Sequence, residues 1–168
     1  SKITKKTDTI LKPFEYSVNN NLEIADEVLI ECKKLKKLKL SKSQKIIIYN
    51  AFLEMLKKGK NLFSLINLLN KSDLIDFFIP EFKKIKNLAL VDPSHIYTVD
   101  VHSIYLIKEF EKLTNNEYAE EFPLETKIAK KIKKKDVFCI AALLHDIGKG
   151  YGKSHSKRGA SMSLEISE

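Results

Sequence analysis

At 168 residues, with 43% hydrophobic and 31% charged side chains, the chain has the make-up of a soluble globular protein long enough to bury its own core. No apolar run approaches the roughly 20 residues of a membrane span, and the opening "SKITKKTDTILKPF" lacks the apolar stretch of a signal peptide, so a cytoplasmic protein without membrane contact is expected. The net charge of +8 comes almost wholly from Lys, with Arg158 the one Arg; base readout and bidentate phosphate clamps lean on Arg, so a nucleic-acid partner is not expected.

The lysines alternate with apolar residues in several segments, which suits solvated helix faces and equally an acidic protein partner. In chain order, "LEIADEVLIECKKL" (residues 22–35) has apolar residues at three- and four-residue intervals, acids early and lysines late, and predicts a helix. "SQKIIIYNAFLEMLKKG" predicts another, with Ser43 as N-cap and Gly59 as stop. "NLFSLINLLNKS" and "DLIDFFIPEFKKI" predict two short helices, with Pro80 at the first turn of a further segment or at a kink. After the irregular "LVDPSHIYT", the run "VDVHSIYLIKEFEKL" predicts a strongly amphipathic helix that starts at Thr98 or Asp100. The acidic loop "TNNEYAEEFP" leads to "LETKIAKKIKKK" and "DVFCIAALLHDIGKG", and a last helix restarts at "SHSKRGASMSLEIS". No strand or hairpin pattern and no internal repeat is visible, so the expected fold class is all-α. Cys32 and Cys139 lie in apolar surroundings without metal-ligand spacing and are expected to be buried free thiols.

The chemistry concentrates in "AALLHDIGKGYGKSHSKR". Asp136 is expected to cap a helix buried through Val137, Ile140, Ala141, Leu143 and Leu144, with His145 and Asp146 at its far end. An imidazole beside a carboxylate at the end of a buried helix is costly unless something satisfies both. A divalent cation would do so; a hydrogen-bonded core His beside a capping Asp is the plainer alternative. Lys149 and the following glycine-rich loop offer a cation and exposed backbone amides, which is what a phosphate group needs. His102, in the first turn of its helix and two residues after Asp100, is a second nitrogen donor or simply a surface or half-buried histidine. Mixed nitrogen and oxygen ligands suit Mn, Fe, Zn, Co or Ni, and Mg where water fills most positions.

"SHIYTVDVHSIYLIKEF" followed by "AALLHDIGKGYGKSHSKRGA" resembles the HD-type phosphohydrolase domain, in the version carried by bacterial bifunctional uridylyltransferase/uridylyl-removing enzymes. The upstream "LLNKSDLIDFFIPEFKKIKNLALVD" is similar to the helical segment ahead of the HD motif, so the resemblance covers about residues 60–165. It implies residues 1–88 as an N-terminal helical connector and residues 89–168 as the HD domain, incomplete at its C-terminal side. By resemblance His102, His145 and Asp146 are metal ligands. Lys149 meets a substrate phosphate, and Lys149 with Asp146 carries the catalysis. His155 serves a second metal or the substrate. His95 has a structural or substrate-side role, and Asp100 caps the helix or orients a ligand. The family adds an Asp ligand from a helix further downstream and a nucleotidyltransferase domain ahead of the HD region; neither is found in these residues, so an excised piece of a longer protein is expected.

The resemblance implies metal-dependent hydrolysis of a phosphodiester, with the uridylylated PII protein of nitrogen regulation as substrate and partner and UMP as product. Two other readings compete. One is an HD hydrolase of a free nucleotide such as guanosine tetraphosphate or a cyclic dinucleotide. The other is a non-catalytic helical module that docks a partner.

Overall fold

The computed structural model describes residues 2–35, 39–89, 96–152 and 154–167. The regular structure of these residues is helical, with no strand among them, which is the expected all-α class. The chain forms two compact units, Ser1–Phe78 and Ile79–Glu168.

The first unit contains α1 (Lys2–Asn20), α2 (Asp26–Leu35), α3 (Lys42–Lys58), α4 (Leu62–Lys71) and the single turn α5 (Ile75–Phe78). Helix α1 packs on α3 and α4, and Phe14, Ile48, Leu56, Leu65, Ile66 and Leu69 are buried in this unit. Phe52 stacks on Phe78 at 4.1 Å between ring centroids, with Tyr49 and Phe77 around them. The helix over residues 22–35 starts four residues later than the periodicity predicts, and hydrogen bonding explains the delay. Asn21 turns left-handed (φ 53°), and the Leu22 N–H bonds back to the Ser17 carbonyl at 2.9 Å, so Leu22 belongs to the end of α1. Helix α3 also corrects the sequence reading. Its N-cap is Ser41, whose hydroxyl accepts from the Gln44 N–H while the Gln44 side chain accepts from the Ser41 N–H; Ser43 lies inside the helix. Gly59 ends α3 as expected.

The second unit contains a 3₁₀ helix (Pro80–Lys84), α6 (Val99–Thr114), α7 (Pro123–Ala129), α8 (Lys135–Leu144), a second 3₁₀ helix (Ile147–Tyr151) and α9 (His155–Ser167). Residues 79–88 pack here, and Pro80 opens its 3₁₀ helix, where its missing N–H costs nothing. Helix α6 packs on α7 and α8, with Phe110 stacked on Phe138 at 3.8 Å. Ile104, Ile107, Cys139, Leu143 and Ile147 fill the core, each burying apolar area worth about 2 kcal/mol. Two bonds anchor the start of α6: Val99 N–H to the Leu88 carbonyl (2.9 Å), and Asn87 N–H to the Asp100 carboxylate (3.1 Å). Thr98 is the N-cap residue of α6. Helix α8 starts at Lys135 after Lys134, so Asp136 sits in its first turn and is not its cap. Two glycines set how the site loop packs. A Cβ on Gly148 would lie 2.0 Å from the His155 carbonyl oxygen, and one on Gly150 would lie 2.7 Å from Lys84 Cβ. The second 3₁₀ helix is therefore held between α9 and the first 3₁₀ helix by backbone contact that only glycine permits.

Candidate metal centre

His145 is the C-cap of α8, and Asp146 follows as the N-cap of the second 3₁₀ helix, so the pair sits where one helical segment hands over to the next. The buried neighbours Leu143, Leu144 and Ile147 pin both sides of that junction. His102 approaches from the first turn of α6, which packs on α8. Its ring lies 5.4 Å from that of His145 between centroids. One ligand atom each from His102, His145 and Asp146 falls within 4.8 Å of the others. The separations converge on one oxygen: Asp146 Oδ2 is 3.2 Å from His145 Nε2, 3.9 Å from His102 Nε2 and 2.8 Å from Lys149 Nζ.

The donor set is of a kind that a cation can occupy. His145 Nδ1 lies 2.7 Å from the Ala142 carbonyl oxygen. A carbonyl only accepts, so Nδ1 carries a proton and donates it, and Nε2 is the nitrogen left for a ligand. Nε2 and Asp146 Oδ2 then face each other at 3.2 Å. A positive charge between or beside the two atoms, either a bound ion or a proton on Nε2, holds that spacing. A divalent ion fits the group, and the Lys149 ammonium supplies positive charge at the same oxygen. The Asp146 side chain is 14% exposed and that of His102 is 50% exposed, so the carboxylate is sheltered while one wall of the group is open to solvent.

The other sequence-chosen residues fall around this group. His155 begins α9 and is exposed; it lines, with His145, Asp146 and Lys149, a cleft of about 320 Å³, but is not one of the three converging ligands. Asp100 is buried, and its carboxylate accepts from Asn87, which ties the preceding turn to the helix that carries His102. His95 lies outside the described residues. Of the loop amides expected to face a phosphate, that of Lys149 donates to the Asp146 carbonyl at 3.0 Å, and Gly148 is buried against α9. The Ala142 carbonyl was invisible to sequence reasoning because any residue supplies one; its only signal is its place three residues before His145.

Fold and site together define an all-helical chain with a His/His/Asp group whose ligand atoms can share one ion. In sequence the chain is similar to bifunctional uridylyltransferase/uridylyl-removing enzymes. It is 36% identical over 115 residues to that of Psychrobacter cryohalolentis, covering 68% of this chain and 13% of the relative. It is 38% identical over 113 residues to that of Azotobacter vinelandii (67% and 13%) and 38% over 109 residues to that of Pseudomonas aeruginosa (65% and 12%). The chain thus spans about an eighth of the length of the curated relatives it matches. No protein-family model matches it, and no solved structure does. Among the described residues no helix is long and apolar enough to cross a membrane.

Proposed function

We propose that His102, His145 and Asp146 form the metal centre of an HD-type phosphohydrolase, and that the chain is part of a cytoplasmic enzyme that removes UMP from the uridylylated PII protein. The observation that carries this reading is the approach of three ligand atoms from α6 and the α8 terminus to within 4.8 Å. Similarity to uridylyl-removing enzymes supports the substrate class. A divalent cation of the Mn, Mg, Fe or Zn type lowers the pKa of water and polarises a phosphoryl oxygen when held in such a set. His145, its Nδ1 proton committed to Ala142, presents Nε2 to the ion; His102 adds a second nitrogen, and Asp146 offsets the ionic charge. Lys149 offsets negative charge that builds on the non-bridging oxygens. The bond broken is the P–O bond to the tyrosyl oxygen, and the oxygen of water ends on UMP. The phenol leaves with a pKa of about 10, so it needs less help from a general acid than an alkoxide would. The half-exposed His102 suits a phosphodiester presented on a protein surface over a free nucleotide in a closed pocket. His155, at the cleft wall, is a contact for the substrate or a second ion. His95 is a substrate-side or structural residue, and Asp100 orients the helix that carries His102. The test is UMP release from uridylylated PII in the presence of Mn²⁺. Release that disappears in His145→Ala and Asp146→Ala supports the reading, and undiminished release in both variants removes it.

A further inference from the structure

We propose that Lys149 is an internal counter-cation of the centre: its ammonium holds Asp146 Oδ2 until a divalent ion takes that oxygen, and the exchange frees the ammonium for the phosphoryl group. The inference rests on the metal-dependent reading above. The pairing follows from local geometry. A 3₁₀ helix has three residues per turn, so side chains three apart eclipse. Asp146 is the N-cap of such a turn and Lys149 lies three residues on; the Lys149 N–H bonds to the Asp146 carbonyl at 3.0 Å and Nζ to Oδ2 at 2.8 Å. The backbone has little freedom to open, because Gly148 is pressed on α9 and Gly150 on Lys84. Relief therefore comes from the lysine side chain, not from the loop.

The oxygen that Lys149 holds is the one that both imidazoles face. An ammonium and a divalent ion cannot share it at 2–3 Å without strong repulsion, so one displaces the other. With side-chain exposures of 19% and 14%, the Lys149–Asp146 contact is a sheltered charge-assisted bond and not a screened surface pair. Two consequences follow that a lysine acting only on substrate would not produce: Lys149 opposes metal binding, and metal binding moves Lys149.

Both are measurable on the 168-residue chain without turnover. Mn²⁺ would be titrated calorimetrically into the wild type, Lys149→Met and Lys149→Gln, with Asp146→Asn as the ligand control and circular dichroism to confirm folding. Each neutral substitution is expected to tighten Mn²⁺ binding by about tenfold, or about 1.4 kcal/mol. In parallel, acetylation of Lys149 would be followed by peptide mass spectrometry. Its rate is expected to rise with saturating Mn²⁺ while the rate at exposed Lys127 and Lys131 stays constant, and to be high without metal in Asp146→Asn. Equal or weaker Mn²⁺ binding by both folded Lys149 variants, or Lys149 labelling indifferent to Mn²⁺, overturns the inference while leaving the metal centre standing. If Mn²⁺ binds neither wild type nor variants, the metal-dependent reading fails and takes this inference with it.

Discussion

Replacing Gly148 by alanine puts the packing of the site loop under direct test. The added methyl carbon would sit 2.0 Å from the His155 carbonyl oxygen, 2.7 Å from the Gly159 nitrogen and 3.0 Å from its Cα, where ordinary contact begins at 3.4 Å. All three atoms are backbone, so no side chain can rotate out of the way; α9 must retreat by more than an ångström or the 3₁₀ helix must deform. Overpacking that forces backbone shifts costs about 3 kcal/mol, a large share of the roughly 5–15 kcal/mol that holds a domain together. The contacts also predict a ranking. Gly150→Ala meets Lys84 Cβ at 2.7 Å and its carbonyl oxygen at 2.9 Å and should cost less, about 2 kcal/mol; Gly159→Ala, whose nearest atom is at 3.3 Å, should cost well under 1 kcal/mol. Urea unfolding monitored by circular dichroism gives the stabilities, and hydrogen exchange of α9 amides shows whether that helix is the part released. Gly148→Ala with wild-type stability and unchanged α9 protection would refute the claim that backbone contact between these segments fixes the loop.

Other predictions follow from the same structure. Ser41→Ala should cost about 1 kcal/mol of stability through loss of the capping box, whereas Ser43→Ala should cost almost nothing; denaturant midpoints of the two variants separate the cases. Burial pushes the Cys139 thiol up to about 12 and that of Cys32 up to about 11, so neither should react with a disulfide reagent at pH 8 until the chain is unfolded. The Tyr118 hydroxyl, with help from Lys112, holds Glu109 below its usual 4.5. That contribution is present above the ordinary carboxylate value and fades as pH falls through the lowered one. Tyr118→Phe should therefore cost about 0.5 kcal/mol at pH 7, Glu109 being half exposed, and less in acid, as read from unfolding at both pH values.

The sequence showed some parts of this account and hid others, for physical reasons. The amphipathic helix that carries His102 and the apolar run into His145-Asp146 declare themselves because packing imposes a 3.6-residue period on them. Helix ends were harder. Glycine marks the end of α3, whereas α1, α4 and α6 end on Asn21, Asp73 and Asn116 in left-handed conformation, each followed by an N–H that bonds five residues back. Asn and Asp tolerate that conformation at modest cost, so their stops look like ordinary loop residues. Helix α1 gave no sign of itself, since Pro13 inside it reads as a break. In the site, the residue types His102, His145, Asp146 and Lys149 were legible, but the joint focus on Oδ2 was not, because it depends on a 3₁₀ turn that brings residue 149 over residue 146. The two loop glycines suggested amides open to phosphate; their use in close packing appears only when α9 and the first 3₁₀ helix are seen against them.

Anomalous diffraction from crystals of the chain grown with Mn²⁺ addresses the metal centre most directly. A metal centre at these residues predicts one strong peak in coordination contact with His102 Nε2, His145 Nε2 and Asp146 Oδ2, with the Lys149 ammonium moved off that oxygen. No peak between the two rings and the carboxylate, with Lys149 still bonded to Asp146 at saturating Mn²⁺, would contradict it.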